Sequence, residues 1–291
     1  MNMLQSSDLR MKAIKENTLL SFNTAGNYPI DFIEFDVQVT KDGCPIIFHD
    51  NFIYSEDNGT IFEKRVTELS LSEFLTFGPQ REGGSEGKTL LRKTKDGKIL
   101  NWTVESDDPA CTLQEAFQKV NPSLGFNIEL KFDDNIVYQQ DYLIHVLQAI
   151  LEVVFDHAKE RPIIFSSFQP DATLLVRKLQ DTYPVFFLTN GGNEIYNDEK
   201  ELFGGSDQIM RGSNVAEAVY MQHLMGVDGV IVDLVKEIAE AVLKMVKQPC
   251  GEGEEKEEEE IVMEGKGSRP KFSQRELAFL LKLIPELVQH Q

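Results

Sequence analysis

Residues Asp31 to Asp50 read D-F-I-E-F-D-V-Q-V-T-K-D-G-C-P-I-I-F-H-D. Phe32, Ile33, Phe35, Val37 and Val39 are strand formers, and Ile46, Ile47 and Phe48 make a second apolar run. Asp42-Gly43 between them is the strongest short-range hairpin signal, because glycine takes the positive φ of a primed turn. With those two residues as the turn, Lys41 faces Cys44, Val39 faces Ile46 and Asp36 faces His49. Glu34, two residues from Asp36, shares its face. Directly opposed Cβ atoms sit about 5 Å apart, so Glu34, Asp36 and His49 are expected to converge on one patch. Two carboxylates and an imidazole together are unfavourable unless a cation or a substrate compensates them. The competing reading is a hairpin edge with solvated charges, and the apolar flanks argue against it.

Upstream, Asn17 or Thr18 can cap a helix with Leu19, Leu20 and Phe22 on its apolar face, and Gly26-Asn27-Tyr28-Pro29 ends it. Downstream, Asn51 to Ser106 reads as mostly irregular. It contains a capping box, Ser70-Leu71-Ser72-Glu73, and a surface loop, R-E-G-G-S-E-G-K. A second box, Thr112-Leu113-Gln114-Glu115, opens a helix through Val120. From Pro122 the pattern is regular: a strand at Phe126–Lys131, a helix at Asp141–His157, a strand at Pro162–Phe168, a helix at Asp171–Thr182 and a strand at Val185–Thr189. Strands alternating with helices predict a parallel α/β sheet or barrel. Asn190 to Asn214 is polar and reads as strandless. A short helix at Ala216–Met225, a last strand at Val227–Asp233 and a helix at Leu234–Val246 follow. The expected organisation is one domain over residues 1–246, an acidic linker over 247–271 and an amphipathic helix over 272–291. That last helix carries Leu277, Leu280, Leu281, Ile284 and Leu287 on one face and is expected to dock back on its own chain.

The chain has 291 residues, 41% hydrophobic and 26% charged, with net charge −19 and pI near 4.7. That is enough for one large domain. The acidic balance argues against nucleic acid and anionic membranes as partners and suits cations. Cys44, Cys111 and Cys250 are odd in number and far apart, so a reducing compartment is the default, with the cytoplasm as the expected location. No apolar run is long enough to span a membrane, and the N-terminus lacks the apolar core of a secretory signal.

Glu129 joins the opening patch. In N-I-E-L-K, Asn127, Glu129 and Lys131 share one strand face, and polar residues near the C-terminal ends of barrel strands line active sites. Glu34, Asp36 and Glu129 make an all-oxygen donor set, which suits Mg²⁺ or Ca²⁺ and not zinc. Lys131 adds a cation, and His49 adds a group that carries protons near neutral pH. A divalent ion, a lysine and a histidine around an open site point to a phosphate ester.

The segments K-E-N-T (Lys15–Thr18), I-E-F-D-V-Q-V-T-K-D-G (Ile33–Gly43), F-H-D (Phe48–Asp50), T-L-Q-E-A-F (Thr112–Phe117), N-I-E-L-K (Asn127–Lys131) and F-S-S-F (Phe165–Phe168) resemble the glycerophosphodiester phosphodiesterase family, most closely its plant-type members. The resemblance implies a TIM barrel of the phospholipase C-like phosphodiesterase type. It also implies a divalent cation, Mg²⁺ or Ca²⁺, and cleavage of small-molecule glycerophosphodiesters to glycerol 3-phosphate and an alcohol. By the same resemblance Glu34, Asp36 and Glu129 match the metal ligands and His49 matches one of two catalytic histidines. Lys131 matches a phosphate-contacting lysine, and Glu16 matches an acid near the site.

Two departures stand out. Family members carry a strand ending in His-Arg-Gly before the E-N-T segment, and no such strand stands within this sequence. They also carry two further βα units, of about 30 residues each, where residues 190–226 stand here. Five core parallel strands are expected, around Phe35, Ile128, Ile164, Phe187 and Ile231, so the barrel is expected to be incomplete. The expectation is a retained metal site with weakened catalysis. The alternatives left open are a non-catalytic chain that binds a cation or phosphodiester, or modulates a full-length partner, and a chain that does not fold stably. A full-length form is open to a plastid location.

Overall fold

A computed structural model of the chain describes residues 12–81, 86–94, 96–133, 136–189, 209–211, 214–224, 226–247, 276, 277 and 279. Of the linker expected at 247–271 all but Lys247, and most of the helix expected at 272–291, lie outside the described residues. The chain divides into two compact units, Met1–Asp198 and Glu199–Gln291. Among the described residues no helix is long and apolar enough to cross a membrane.

The first unit opens with α1 (Leu19–Ala25), started by Thr18, whose hydroxyl accepts the Ser21 N–H at 3.2 Å. The hairpin follows as β1 (Phe32–Val39) and β2 (Pro45–Ile47). Next come β3 (Phe52–Asp57), β4 (Thr60–Arg65), a 3-10 turn at Val66–Glu68, α2 (Leu71–Phe74), β5 (Leu91–Lys93) and β6 (Ile99–Asn101). Both expected capping boxes form, Ser70 with Glu73 at α2 and Thr112 with Glu115 at α3 (Leu113–Lys119). The regular half then runs β7 (Gly125–Leu130), α4 (Gln140–His157), β8 (Ile163–Ser167), α5 (Pro170–Leu179) and β9 (Val185–Phe187).

These strands make one sheet in the order β2-β1-β7-β8-β9. β1, β7, β8 and β9 are parallel, and β2 alone runs antiparallel. Every residue of β7 is buried, as expected for a central parallel strand covered on both faces. Phe35, Phe126, Ile128 and Phe165 are fully buried at its centre, with the Phe35 and Phe126 rings edge to face at 5.0 Å. α4 turns Leu143, Val146, Leu147, Ile150, Leu151 and Val154 toward this core at helical spacing. The sheet does not close: β2 and β9 are its edges. The architecture is therefore an incomplete barrel of TIM type, as the sequence predicts.

Three expectations are corrected. Residues 51–106, read as irregular apart from one short helix, also hold a four-stranded antiparallel sheet in the order β4-β3-β5-β6. Its first hairpin turns on Asn58-Gly59, both at positive φ (48° and 80°), with Asp57 paired to Thr60. This is the primed-turn signature in a segment whose charged residues hide its alternation. A second apolar cluster, including Ile46, Phe48, Ile53, Phe74 and Trp102, packs here. Residues 190–214 also contain a strand, β10 (Ile209–Arg211). The strand expected around Ile231 exists as β11 (Gly229–Ile231), but it pairs in parallel with β10 in a separate two-stranded sheet. α6 (Ala216–Leu224) and α7 (Val235–Lys247) also belong to the second unit, and Phe279 lies edge to face on Tyr220 at 5.2 Å.

Candidate active site

The parallel register of β1 and β7 builds the site. Glu34 pairs with Asn127 and Asp36 with Glu129, so the polar faces of the two strands stand side by side. Asp36 and Glu129 are each only 5% exposed, and Glu34 is half-buried. One ligand atom from each of Glu34, Asp36 and Glu129 lies within 4.8 Å of the other two. Lys131, one step past the end of β7, puts Nζ 2.9 Å from Glu129 Oε1 and 3.3 Å from Asp36 Oδ1.

The electrostatics follow from crowding. Burial, and then the Asp36 charge, push Glu129 above the usual carboxylate range, despite Lys131. Burial also pushes Asp36 up, but Lys131, His49 and the Asn17 hydrogen bond outweigh it and bring Asp36 below its ordinary value. Burial pulls Lys131 down, yet Asp36 and Glu129 outweigh it and raise the ammonium well above the lysine range. Lys131 therefore compensates two of the three clustered carboxylates, Asp36 and Glu129. Asp36 Oδ1 is buried and accepts no hydrogen bond. A compact, all-carboxylate donor set that includes this oxygen fits a hard divalent cation.

The hairpin register differs from the expected one. Val37 pairs with Ile47 and Val39 with Pro45, so Asp36 stands opposite Phe48, whose N–H donates to Asp36 O at 3.0 Å. His49 does not face Asp36 across the ladder. The turn holds one more residue than predicted. Gly43 alone takes positive φ (81°), donating to Thr40 O, while Asp42 accepts from Thr40 Oγ1 at 2.6 Å and from the Leu71 N–H. Anchored to α2 in this way, Asp42 stays out of the left-handed region that a two-residue primed turn requires of it, and a one-residue slip exchanges the faces. His49 nevertheless acts electrostatically on Asp36, Glu129 and Glu16. Gln38 Nε2 holds the turn of chain here by donating to Phe48 O and Asp50 O at 2.8 and 2.9 Å.

Glu16 lies beside this turn, ion-paired at 2.6 Å to Nη1 of Arg92. Burial pushes its carboxyl above the usual range despite Arg92 and His49.

Three residues at the site escaped the sequence reading. Asn17 adopts a left-handed φ of 58° and donates its amide to Asp36 Oδ2 at 2.9 Å. Asp50 Oδ1 lies 2.7 Å from His49 Nδ1, within hydrogen-bond reach. Arg92 is 1% exposed and lies 4.3 Å from the Trp102 ring. K-E-N-T and F-H-D held a signal for the first two, but nothing local in L-L-R-K marks Arg92 as buried.

Comparison with known proteins agrees with this geometry. The model of the glycerophosphoryl diester phosphodiesterase family matches residues 6–217. Glycerophosphodiester phosphodiesterase GDPD2 of Arabidopsis thaliana is 52% identical over 331 aligned positions, covering 100% of this chain and 87% of that protein. Glycerophosphodiester phosphodiesterase GDPD1, chloroplastic, of the same plant is 56% identical, covering 100% of this chain and 88% of that protein. At least 40 of the positions aligned with GDPD2 stand opposite gaps in this 291-residue chain, so its relative holds internal sequence that this chain lacks. The solved structure of an Oleispira antarctica phosphodiesterase in complex with the product sn-glycerol-3-phosphate superposes with a TM-score of 0.56 at 19% identity, covering 79% of this chain and 95% of that one. A glycerophosphodiester phosphodiesterase from Parabacteroides distasonis gives 0.55 at 17% identity, over 81% and 98%. These two likenesses bear on the fold alone. The match of the family model and of two close plant relatives, on a chain whose β1–β7 register clusters the carboxylates, makes this chain a member of the glycerophosphoryl diester phosphodiesterase family of enzymes.

Proposed function

We propose that this chain hydrolyses glycerophosphodiesters to glycerol 3-phosphate and an alcohol with a divalent cation, Mg²⁺ or Ca²⁺, held by Glu34, Asp36 and Glu129. The observation that supports this most is the compact carboxylate group with Lys131 against two of its members. A cation bound there supplies positive charge against the phosphate oxygens. Lys131 orients and neutralises a phosphate oxygen, strengthened by its buried setting. His49 carries the proton: it takes one from the attacking water and returns one to the alkoxide released when the P–O bond breaks. Glu16 holds its place beside His49 and contacts no substrate. Tyr220 against Phe279 supports docking of the C-terminal segment on its own chain. The chloroplastic relative supports a plastid location for a longer form, with the cytoplasm as the default for this chain.

Among the described residues His49 is the histidine at the site, and it has both proton transfers to make. His145 and His157 lie on α4 and His223 on α6, and none of them acts on the site carboxylates. A missing acid–base group costs on the order of 10²–10⁴-fold in rate, so turnover is reduced by that order. The test is release of glycerol 3-phosphate from glycerophosphocholine with Mg²⁺ or Ca²⁺. Slow, cation-dependent release is expected. No release with either cation sinks the hydrolytic reading and leaves a non-catalytic chain that binds a cation or phosphodiester, or modulates a full-length partner. That His49 stands alone as a histidine at the site among the described residues favours that second reading.

A further inference from the structure

Arg92 belongs to neither strand of the metal-ligating pair. It sits on β5, in the antiparallel sheet, and is among the most deeply buried side chains of the chain. Its guanidinium reaches two segments far apart in sequence. Nε donates to Asp50 Oδ2 at 3.0 Å and Nη2 to Asp50 Oδ1 at 3.1 Å, a two-pronged grip on one carboxylate. Nη1 lies 2.6 Å from Glu16 Oε1, next to Asn17, which binds Asp36. The indole of Trp102 covers its plane at 4.3 Å, with Lys15 Nζ 5.3 Å from that ring. A buried arginine held between two carboxyl groups and stacked on one face has little freedom to move.

Asp50 then acts on His49. Oδ1, already gripped by Arg92, lies 2.7 Å from His49 Nδ1. Burial raises the Asp50 carboxyl, but His49 and Arg92 outweigh it and keep it below its ordinary value, so it is ionised at neutral pH. An ionised carboxylate only accepts, so Nδ1 must be the protonated nitrogen, and Nε2 is left to exchange a proton with the reacting oxygens. We propose that Arg92 is a positioning residue, which fixes the Asp50 carboxylate and thereby holds His49 in its Nδ1–H form. The inference rests on His49 as the proton carrier and assigns the antiparallel sheet a task, which is to deliver Arg92 to the back of that histidine.

Long-range ¹H–¹⁵N spectra of the full chain, at about pH 9 where histidine is ordinarily neutral, read the tautomer without needing turnover. The expected result is a His49 signal with protonated Nδ1, against the ordinary preference of free histidine for Nε2–H. A predominantly Nε2–H His49 overturns the proposal. Arg92→Lys keeps the charge but cannot grip both oxygens, and it is expected to shift His49 toward Nε2–H. A variant that only loses thermal stability while His49 stays Nδ1–H also overturns it. Should Arg92→Lys not fold, the charge-balanced pair Glu16→Gln with Arg92→Gln takes its place with the same expectation. With measurable hydrolysis, Arg92→Lys is expected to lower kcat by roughly tenfold or more and leave KM within about twofold. A rise in KM with kcat unchanged contradicts it. Absence of hydrolysis by the unsubstituted chain counts against the proposed function, and the spectra still decide the role of Arg92.

Discussion

Asp36 and Glu129 are register partners on two adjacent parallel strands, each 5% exposed. Buried like charges that close repel, and the arrangement is tolerable because Lys131 reaches both. Removing either sign has opposite consequences. Glu129→Gln keeps the shape and lifts the repulsion, so the cation-free protein is expected to stay folded. The stabilisation by Mg²⁺ or Ca²⁺ is expected to vanish, where the unsubstituted chain at about 100 times Kd gains about 2.7 kcal/mol. Thermal melting with and without the cation reads the difference; an equal shift in both proteins contradicts a ligand role for Glu129. Lys131→Ala leaves two buried carboxylates uncompensated and is expected to destabilise the cation-free chain by about 3–5 kcal/mol. Adding Ca²⁺ is expected to recover part of that loss, as urea denaturation can follow.

Local elements obey local chemistry where the deciding contacts are near in sequence. α3 starts at Thr112, with Glu115 returning to the Thr112 N–H at 3.1 Å, and Arg81 and Lys119 grip the same carboxylate. Burial pushes Glu115 up, but Arg81, the Thr112 N–H and Lys119 outweigh it and hold the carboxyl at about 2 against 4.5 unperturbed. A depressed value adds stability above the unfolded value that is lost as pH falls through the folded one. The gap between the unsubstituted chain and Glu115→Gln is therefore expected to be about 1 kcal/mol at neutral pH and to close as pH falls from about 4.5 to about 2. Urea midpoints measured across that range check it; a gap that widens in acid contradicts it. The hairpin is the contrary case. Its two strands were legible, but its register was settled by α2, whose Leu71 N–H captures Asp42 from 29 residues away.

At the scale of the molecule, all the site residues lie in the first unit: Glu16, Glu34, Asp36, His49, Asp50, Arg92, Glu129 and Lys131 fall before Asp198. Cation binding should therefore slow local opening around β1 and β7 and leave α7 in the second unit unaffected. Hydrogen exchange followed by mass spectrometry, with and without Ca²⁺, is expected to show protection confined to peptides of the first unit. Equal protection of 235–247 contradicts the division. The internal sequence present in the plant relatives and absent here fits a sheet that ends at β9 while β10 and β11 pair apart.

The sequence alone determined the helices with capping boxes, the buried strands rich in Phe, Val and Ile, the open α/β barrel framework and the identity of the three clustered carboxylates. The helices and strands rest on periodicity or on contacts a few residues apart, which composition and spacing record directly, whereas the incomplete barrel and the joining of Glu129 to Glu34 and Asp36 drew on the family resemblance of the motifs. Tertiary structure alone decided the hairpin register, the pairing of β10 with β11, and the burial of Arg92 between Glu16 and Asp50. Those depend on partners separated by 29 residues at Asp42–Leu71 and 42 at Arg92–Asp50. No local pattern states which distant charge will meet a buried guanidinium, because that choice is made by how two sheets pack and not by the preference of either strand.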